Sequence, residues 1–557
     1  MTKLFLLIVC LLFFSLCASA QNTVGVLLHN TELVQDGYNL LMPNEQSTIY
    51  LTDNCGRIIN TWESNELSRV GADLYLLEDG SVLRAKADVS LTSGPTIGAG
   101  GVGGVVEILS WDNEILWQKI IQDSLMRQHH DVQMMPNGNV LAIVWDRKYK
   151  DEIIANGLDS IYWEKDELWP DMIVEYDTAT SNIVWEWRAW DHLVQQVYPE
   201  KLNYGIIKDH PELIDINYQN YTFGRKDWMH CNSLHYNPEL DQILLSVRNF
   251  NEVWIIDHST SLEEATGHTG GNAGKGGDIL WRWGNPEAFD RGDINDRLLF
   301  YNHDANWLNE DYHHDTPYDG MISIYNNFID GTYSLVSIVN PNLDSSDYNY
   351  AIDEGSQYFV PSLPYEVISH PDTLKQYSAA GSNFQILPNG NFLFHAARQG
   401  RTTEMTSQRE PVYEYLVPFR NGFRVNQGEV LNLSDNFTFS LRRYPSSHPA
   451  FFDKDLTPGE YLEYNANTGL CQTVSQKEVS EFMSEVYPNP VNNFLNVDLK
   501  NESYLKIMNS FGGIVYSELL NSGTHNIDCA KMEAGIYFIQ IYDTKLELHI
   551  TQRIVKL

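Results

Sequence analysis

Apolar and polar residues alternate along most of the chain, and one alternating phrase recurs with a glycine turn in its middle. It reads LYLLEDGSVLRA from Leu74, VQMMPNGNVLAI from Val132 and FQILPNGNFLFH from Phe384. Alternation with a period of two is typical of a half-buried strand, and Asp-Gly or Asn-Gly between two such runs is a strong signal for a β-hairpin. The three phrases therefore predict three hairpins, and LHYNPELDQILLS predicts a further hairpin with a longer loop.

A second phrase, a short apolar strand that carries an aromatic residue, alternates with the hairpins. Its aromatic residues are Trp62, Trp117, Trp185, Trp281 and Tyr413. A hairpin followed by outer strands with a packing aromatic is typical of a four-stranded propeller blade. Five such units are clear between about Gly37 and Tyr444, and a degenerate sixth is expected within GMISIYNNFIDGTYSLVSIVN. We therefore predict an all-β fold, a six-bladed β-propeller, whose closure into a ring removes exposed sheet edges.

The first residues have the composition of a targeting segment. Lys3 precedes an apolar run that ends in Ala18-Ser19-Ala20, a pattern of small residues typical of a cleavage site. Residues 1–20 are therefore predicted to be a secretory signal peptide, and the propeller is predicted to span residues 21–470. The sequence contains no other long apolar segment, so no membrane insertion is expected.

The C-terminal part of the chain has a different pattern. A polar stretch at residues 471–481 predicts a linker, and the short alternating strands of residues 482–557 predict a small β-sandwich. Its YPNP sequence at Tyr487, the strand AGIYFIQI and the terminal RIVKL resemble the type A sorting domain of proteins exported by the type IX secretion pathway of Bacteroidetes-type bacteria. The resemblance implies that the type IX secretion machinery is a partner. It also implies export through the periplasm to the cell surface or the medium.

Charge and cysteine content narrow the classes of function. The 557-residue chain has a net charge of −37, which argues against nucleic acid or an anionic membrane as a partner, since both attract basic patches. Beyond the signal peptide the cysteines are Cys55, Cys231, Cys471 and Cys529, and no pair has CxxC spacing. Neither a zinc knuckle nor a redox motif is indicated, and the disulfide pairing stays open. We expect Cys231 to be a small buried hydrophobe.

Two segments interrupt the repeating pattern. Residues 146–172 are expected to form an inserted loop with partial helical character, and insertions of this length in a compact fold usually serve as functional lids. Residues 270–277, GGNAGKGG, are rich in glycine but have no following helix and no GK[ST] sequence. They predict a loop rather than a phosphate-binding cradle.

One predicted hairpin carries a concentration of polar residues at its ends. In DWMHCNSLHYNPELDQILLSVRN, His230 and Asn232 begin one strand and Arg248 follows the other. Because antiparallel strands return to the same end, we expect these three side chains to lie close together. An imidazole, an amide and a fixed cation at one point are suited to holding an oxyanion.

Further ionisable residues stand where other propeller strands are predicted to begin or end. They are His129 and His130 in QHHDVQMM, His303 in FYNHDANW, and His395 and Arg401 in FLFHAARQGR. Innermost strands run along the central channel of a propeller, so these groups can converge there. In contrast, His313 and His314 in DYHHDTPYDG are predicted to be solvated residues of a turn.

The order and spacing of these segments resemble the bacterial arylsulfate sulfotransferase family over most of residues 38–420. The matching segments are STIYLTDNCGRIINTW, HHDVQMMPNGNVL, the hairpin with its following strand, GGDILWRWGNP, NHDANW and FQILPNGNFLFHAARQGRTTE. The most specific feature is His-x-Asn at His230, followed by Arg248. Asn302 departs from the family pattern, in which many members have Gln before the corresponding histidine.

The resemblance implies a six-bladed propeller enzyme that moves sulfuryl groups from an aryl sulfate donor to a phenolic acceptor. It implies no PAPS and no other cofactor. It assigns the sulfuryl-accepting histidine to His303 and a further site histidine to His130. His129, His395 and Arg401 are candidate substrate-binding residues, and the alternative for Arg401 is a surface ion pair.

Elementary chemistry gives each group a task. Sulfuryl transfer should resemble phosphoryl transfer, with a loose transition state that spreads charge over the nonbridging oxygens. His303 would be the neutral nucleophile, and Arg248, Asn232 and His230 would stabilise the oxygens. Either His130 or His230 would protonate the departing phenolate.

Three alternatives remain. An aryl sulfatase would use water as the acceptor, and a non-catalytic cell-surface propeller would use the same fold for binding. Histidines from several blades could also hold a metal ion, but Arg248 would be poorly placed beside a cation, so no metal is predicted in this site.

Overall fold

The computed structural model of the protein describes residues 22–64, 73–87, 97–159, 166–218, 226–329, 331–344, 346, 348–471, 486–509, 514–543 and 548–557. The predicted signal peptide (1–20) lies outside the described residues, as does all of the predicted linker beyond Cys471. The chain divides into two compact units, Met1–Leu470 and Cys471–Leu557.

The described strands of the first unit follow one another along the chain. The first of them are β1 (Gly25–His29), β2 (Gly37–Pro43), β3 (Ile49–Asp53), β4 (Ile58–Trp62), β5 (Leu74–Leu76), β6 (Val82–Lys86), β7 (Val105–Leu109), β8 (Ile115–Ile120), β9 (Met126–Met134), β10 (Val140–Asp146), β11 (Lys148–Tyr149), β12 (Glu167–Leu168), β13 (Asp171–Tyr176), β14 (Ile183–Arg188), β15 (Leu193–Val194) and β16 (Ile214–Asp215).

The remaining described strands of this unit are β17 (Cys231–Asn237), β18 (Gln242–Val247), β19 (Glu252–Asp257), β20 (Trp281–Trp283), β21 (His303–Leu308), β22 (Met321–Ile329), β23 (Tyr333–Val339), β24 (Leu343–Asp344), β25 (Asn349–Tyr350), β26 (Glu366–Ile368), β27 (Asn383–Ile386), β28 (Phe392–Ala396), β29 (Arg401–Met405), β30 (Pro411–Leu416), β31 (Phe419–Arg420), β32 (Phe423–Arg424) and β33 (Thr438–Pro445).

The described helices are short. The α-helices are α1 (Lys150–Ala155), α2 (Leu262–Ala265) and α3 (Thr373–Gln376). The 3-10 turns are Ala189–Asp191, Ile207–Asp209, Pro286–Phe289, Ile294–Asp296, Asp311–His313, Ala397–Gln399, Pro449–Phe451 and Thr468–Cys471. The protein is therefore all-β, as the alternating pattern predicts. No described helix is both long and apolar enough to cross a membrane.

Six antiparallel sheets of four or five strands make up most of the described first unit. In spatial order they are β33-β2-β3-β4, β5-β6-β7-β8, β9-β10-β13-β14, β17-β18-β19-β20, β21-β22-β23-β26 and β27-β28-β29-β30-β1. The first sheet takes its innermost strand from residues near the end of the unit, because β33 pairs with β2 from Gly37↔Pro445 to Pro43↔Thr438. Strands from both ends of the unit thus share one sheet.

Hydrogen bonds join the first strand of each sheet to the first strand of the next. The contacts, in order around the molecule, are Leu76 N to Tyr444 Oη (2.9 Å), Tyr75 Oη to Asp131 (3.0 Å), Leu234 N to Asp131 (2.9 Å), Ala305 N to Ser233 Oγ (2.9 Å), Phe384 N to Asp304 (2.7 Å) and Leu441 N to Asn383 Oδ1 (2.9 Å). The series starts and ends on β33 and passes through β5, β9, β17, β21 and β27. The first strands of the six sheets are therefore linked by hydrogen bonds in a cyclic order.

The recurring sequence phrases occupy the predicted places in these sheets. Gly80, Gly138 and Gly390 close turns whose amide donates three residues back, at 2.8–2.9 Å, and each has positive φ between 82° and 86°. Each of the five aromatic residues of the second phrase lies on the fourth strand of its sheet. The segment expected to contain a degenerate unit forms β22 and β23, the middle strands of the fifth sheet.

The second unit has its own sheets and its own core. Its described strands are β34 (Val486–Tyr487), β35 (Phe494–Leu499), β36 (Ser503–Asn509), β37 (Ile514–Leu520), β38 (Gly523–Asp528), β39 (Gly535–Asp543) and β40 (Leu548–Lys556). They form the sheets β34-β35-β38 and β37-β36-β39-β40. Apolar residues from both sheets, such as Val497 and Ile539, are buried in one cluster.

Other sequence predictions have mixed outcomes. The segment predicted to be an inserted loop contains β11, α1 and β12, so its helical character is confirmed for the described part. Cys55 and Cys471 are disulfide-bonded, whereas Cys231 and Cys529 are buried thiols. The prediction that His313 is solvated is wrong: it is 3% exposed in a 3-10 turn, and burial lowers its pKa to about 4. Its neighbour His314 is exposed, as predicted.

Candidate active site

A cavity of about 550 Å³ is lined by all four residues predicted to be catalytic, His130, His230, Arg248 and His303. It is lined by Gly98, Ala99, Gly100, Gly101, His130, Trp169, Lys226, Asp227, His230, Arg248, Asn249, His303, Ala380, Gly381, Phe437 and Phe439. These residues come from segments that are far apart in the sequence, and the catalytic candidates His130, His230 and His303 belong to three consecutive sheets.

His303, the first residue of β21, is held in one tautomer. Its Nδ1 is 2.9 Å from the carbonyl oxygen of Tyr301 and 2.8 Å from Oδ1 of Asn327. Asn327 donates its amide to the carbonyls of Ser378 and Gly381, both at 2.9 Å, so its oxygen is left to accept. Because both partners of Nδ1 are acceptors, Nδ1 carries the proton and Nε2 carries a lone pair.

The surroundings of His303 keep its ring neutral. The side chain is 2% exposed, and burial followed by the positive charge of Arg248 lowers its pKa to about 3. A neutral imidazole with Nδ1 hydrogen-bonded presents Nε2 as its nucleophilic atom. None of the described side chains hydrogen-bonds this Nε2.

His230 lies beside a negatively charged residue, whereas His303 lies near the positive charge of Arg248. Nδ1 of His230 lies 2.5 Å from Oδ2 of Asp227, and the other oxygen of that carboxylate accepts a hydrogen bond of 2.9 Å from Nε1 of Trp145. Burial would raise the pKa of Asp227, but the charge and hydrogen bond of His230, together with His129 and Trp145, outweigh burial and the pKa is lowered. The carboxylate therefore remains ionised, and its negative charge lies against the ring of His230.

His130 and His129 form a second relay beside it. Nε2 of His129 is 3.1 Å from Asp171, and its Nδ1 is 2.8 Å from Nδ1 of His130. The carboxylate accepts from Nε2 of His129, and the two Nδ1 atoms share one hydrogen bond between the rings. Burial, followed by the charges of His230 and its neighbours, holds the pKa of His130 well below its usual range, so His130 stays neutral.

The backbone aims His130 and His230 into the cavity. Both residues have left-handed angles, with φ of 51° for His130 and 56° for His230, and their rings meet edge-to-face at 4.5 Å. Such angles are uncommon outside glycine and are often found at functional sites. The two rings thus share one wall of the cavity.

Arg248 supplies the cation that the hairpin prediction requires. The pair Cys231↔Val247 in the β17–β18 ladder confirms that His230 and Arg248 lie at the same end of the hairpin. The guanidinium lies over the ring of Tyr301 at 4.5 Å and donates to Asn249 at 3.0 Å. A guanidinium held in this way can face the oxygens of a bound anion.

Aromatic residues and a glycine loop complete the cavity. Phe439 lies 5.9 Å from the ring of His130 and 6.2 Å from that of His303, measured between ring centroids. A Cβ atom on Gly101 would lie 2.1 Å from Cε1 of His130, so only glycine fits against that ring. The apolar walls suit a phenyl ring, while the imidazoles and the guanidinium suit its anionic substituent.

Four of the predicted site residues do not line this cavity. His129 contacts the ring of His130 through Nδ1 and does not border the cavity itself. Asn232 is buried and donates to the backbone oxygen of Asn302 at 2.8 Å, directly before His303. His395 lies between Thr402 and the carbonyl of Thr438, at 2.9 Å from each, and Arg401 donates to Glu414 at 3.0 Å.

Several lining residues are absent from the sequence predictions. Asp227 stands three residues before His230 and could have been suspected from that spacing. Trp169 lies within the segment predicted to be an inserted loop, and Lys226 is ion-paired with Glu167 of the same segment. Phe437 and Phe439 come from the segment around β33, and no sequence signal connects them to the histidines.

Comparison with known families finds two matches. The model of the family described as arylsulfotransferase (ASST) matches residues 26–429. The model of the secretion system C-terminal sorting domain matches residues 485–556. The C-terminal part is thus a type IX sorting domain, which directs the protein to the cell surface or the medium. Both resemblances stated from the sequence are confirmed.

Solved structures give only distant similarities. A protein of unknown function from Bacteroides caccae has 9% identity and a TM-score of 0.38, covering 74% of this chain and 99% of that one. Virginiamycin B lyase from Staphylococcus aureus has 9% identity and a TM-score of 0.31, covering 74% and 96%. PorZ of Porphyromonas gingivalis has 11% identity and a TM-score of 0.23, covering 93% and 75%. No curated protein matches the sequence. At these TM-scores the structural similarities carry no argument about function.

Proposed function

The chain belongs to the arylsulfotransferase family, and on this basis we propose that it transfers a sulfuryl group from an aryl sulfate ester to a phenolic acceptor. The observation that carries the proposal is His303, a buried neutral imidazole whose Nδ1 is fixed as a donor while its Nε2 retains a lone pair. Arg248 and His230 share the cavity with it. Sulfuryl transfer through a histidine needs this set of groups.

The first step forms a covalent intermediate. Nε2 of His303 attacks the sulfur of the aryl sulfate, an N–S bond forms and the S–O bond to the aryl group breaks. The electron pair of that bond leaves on the phenolate oxygen, which takes a proton from His230. The ionised carboxylate of Asp227 is hydrogen-bonded to His230, whereas His130 stays neutral, so the contacts favour His230 as the acid.

Hydrogen bonds stabilise the intermediate from the far side of the ring. Sulfuryl transfer to Nε2 leaves a positive charge on the imidazole, and the Tyr301 carbonyl and Asn327 Oδ1 both accept from Nδ1–H. Arg248 offsets the charge that spreads over the nonbridging oxygens. Nε2 of His130 can hydrogen-bond the incoming phenol and position it.

The second step reverses the first with a new oxygen. The acceptor phenol gives its proton to His230, left neutral by the first step, and its oxygen attacks the sulfur. An O–S bond forms, the N–S bond breaks, and the electron pair returns to Nε2 of His303. The enzyme is then in its starting state, and no cofactor enters the balance.

The other predicted site residues would act indirectly. Asn232 would position the backbone that precedes His303, and His129 would orient His130. His395 and Arg401 would touch substrate only if the segments around them moved, since neither borders the cavity. The Phe439 ring would contact the aromatic part of donor and acceptor.

The architecture proposed for the enzyme is a closed six-bladed propeller followed by a small β-sandwich. The cyclic order of hydrogen bonds among the first strands of the six sheets supports the first part. The shared core of the two C-terminal sheets supports the second. The cavity would then lie at one end of the central channel.

The decisive experiment follows a chromogenic aryl sulfate with and without added phenol. We expect a burst of released phenol from the donor alone, and faster turnover when an acceptor is present. His303→Ala should abolish the burst and the turnover, and Arg248→Ala should slow transfer by roughly 10² to 10³. His314→Ala, which changes an exposed histidine that does not line the cavity, should behave as the unchanged enzyme.

Mass spectrometry locates the intermediate. The donor-treated protein, kept at neutral to basic pH, should carry one sulfuryl group on the peptide that contains YNHDANW. An adduct on the His230 or His130 peptide would refute His303 as the nucleophile. Consumption of the donor without any adduct would show direct attack by the acceptor or, if phenol has no effect on the rate, by water as in a sulfatase. Failure to consume any donor would favour a binding function.

A further inference from the structure

A second cluster of metal-ligating side chains lies outside the cavity. Nδ1 of His192 is 2.8 Å from Oδ1 of Asp278, and Nδ1 of His268 is 2.7 Å from the same oxygen. The ligand atoms of the three residues all lie within 4.8 Å of one another. None of the three residues borders the cavity described above.

Between His192 and Asp278, the hydrogen-bond pattern lacks a proton or a cation. Nε2 of His192 is 2.9 Å from the carbonyl oxygen of Ala265, which only accepts, so Nε2 carries the proton. The other nitrogen, Nδ1, faces a carboxylate oxygen, which is also an acceptor. Either an additional proton or a cation must stand between the two atoms.

The ring of His192 is fixed in the manner of a metal ligand. It is fully buried and stacks on Trp187, with ring centroids 5.9 Å apart and planes 5° from parallel. A histidine that binds a metal through one ring nitrogen usually donates the other N–H to a carbonyl or carboxylate, as His192 does to Ala265. His268 is 60% exposed in its side chain and leaves an approach from solvent.

The cluster lies where two sheets and a glycine loop meet. His192 follows β14, the outer strand of the third sheet, and Asp278 precedes β20, the outer strand of the fourth. The loop between α2 and Asp278 packs on the histidine, because a Cβ on Gly277 would lie 2.6 Å from His192 Nε2. A cation here would join the outer edges of neighbouring sheets.

We propose that His192, His268 and Asp278 form a zinc site. Two imidazole nitrogens and one carboxylate oxygen are a ligand set suited to Zn²⁺, with solvent at the remaining position of a tetrahedron. Metal–ligand bonds of about 2.1 Å place such atoms roughly 3.4 Å apart. Each histidine nitrogen, now 2.7 or 2.8 Å from Oδ1 of Asp278, would therefore need to move away from that oxygen by less than about 1 Å. The zinc ties the glycine loop to the two outer strands and takes no part in sulfuryl transfer.

The test measures zinc binding to the full chain after removal of metals with a chelator. Isothermal titration with ZnCl₂ and elemental analysis should show one tightly bound zinc per chain, and zinc should raise the melting temperature. His268→Ala changes an exposed ligand and should weaken binding at least tenfold while the protein stays folded. Asp278→Asn should have a similar effect, and X-ray absorption should report nitrogen and oxygen ligands without sulfur.

Two variants separate this site from other histidines. His314→Ala removes an exposed histidine whose Nδ1 is paired with Asp319 at 3.0 Å but which belongs to no cluster of three ligands in the described chain. His303→Ala changes the cavity. Both should keep the affinity for zinc of the unchanged protein. Zinc binding that is absent, that survives His268→Ala, or that is lost in His303→Ala would overturn the proposal. Turnover of aryl sulfate by the chelator-treated enzyme tests the proposed function separately. Its outcome does not depend on whether zinc binds.

Discussion

At the scale of single residues, three neighbouring histidines differ because their hydrogen-bond partners differ. The Nδ1 of His303 meets two neutral acceptors, that of His230 meets a carboxylate, and that of His130 meets another imidazole. A carboxylate stabilises the protonated ring, whereas neutral acceptors in a buried site do not. The same residue type can therefore provide a nucleophile and an acid within one cavity.

The depressed pKa of His303 predicts how the burst depends on pH. Its folded-state pKa of about 3 means that the ring remains neutral, and nucleophilic, at pH 5. An ordinary histidine of pKa 6.5 would be only about 3% neutral at that pH, which would slow attack roughly thirty-fold. We therefore expect the burst rate to change little between pH 7 and pH 5, measured by stopping samples in alkali.

A variant of Arg248 tests whether the charge of this residue contributes to the low pKa of His303. Burial and the charge of Arg248 are the first two causes of the lowered pKa, so Arg248→Met should raise the pKa of His303 and move the acid limb of the burst toward neutral pH. Circular dichroism at each pH establishes that the protein is folded. A burst in the unchanged enzyme that falls steeply below pH 6.5 would contradict the assigned protonation state.

Part of the site could be predicted because hairpin patterns are local in the sequence. His303, His230 and Arg248 stand at the ends of predicted hairpins, and hairpin geometry brings such ends together. His395 shows the limit of that argument, because it lies on β28, the second strand of its sheet, and hydrogen-bonds to Thr402 and Thr438. The sequence marks His303 and His395 alike as histidines near strand ends. It does not specify which of the two strands borders the cavity.

At the scale of elements, a glycine segment forms part of the wall against the histidines. The carbonyl of Gly101 accepts from the backbone N–H of His130 at 2.7 Å, and Gly100 approaches the ring of His230. Gly101 has φ of +73°, and its missing side chain leaves space for the His130 ring. The segment therefore positions His130 through both its backbone and its lack of a side chain.

Gly101→Ala should impair turnover much more than folding. Its Cβ would lie 2.1 Å from Cε1 of His130, so the loop or the ring must shift. We expect turnover to fall at least tenfold, measured with the aryl sulfate assay. Gly138→Ala is the matched control, since Gly138 also has positive φ but nothing within 4 Å of its Cβ. The control should cost roughly 1 to 2 kcal/mol of stability and leave turnover intact. Equal turnover in the two variants would show that Gly101 does not position His130.

The hairpins themselves were the most predictable elements. Turn glycines and alternating strands are local signals, and they place β5–β6, β9–β10 and β27–β28 correctly. The walls supplied by Trp169 and Phe439 were not predictable, because each depends on contacts between segments hundreds of residues apart or on an insertion without periodicity. His313 was wrongly predicted to be solvated for the same reason, since its burial depends on packing that a polar turn sequence does not reveal.

At the scale of the whole first unit, buried carboxylates link the innermost strands. Asp131 accepts from the backbone of Leu234, and Asp304 accepts from that of Phe384. Arg442 is ion-paired with Asp304 at 3.2 Å and also with Asp73. Burying polar and charged groups is costly unless they are hydrogen-bonded or paired, and each of these carboxyl groups is. The network fixes the positions of the strands from which the catalytic residues extend, so a rigid framework underlies the cavity.

Each of the two units has its own described core, which predicts that activity and export can be separated. The cavity-lining residues all belong to the first unit, and the buried cluster of the second unit is built from its own strands. A chain ending at residue 472 retains Cys471, and therefore the disulfide with which Cys471 is engaged. We expect it to fold, to show the same burst and turnover per molecule as the full chain, and to accumulate in the periplasm instead of reaching the cell surface or the medium. Fractionated cells assayed with a chromogenic aryl sulfate measure both properties at once. A truncated chain that folds but has no turnover would show that the sorting domain contributes to catalysis, and one that is still exported would show that the signal lies elsewhere.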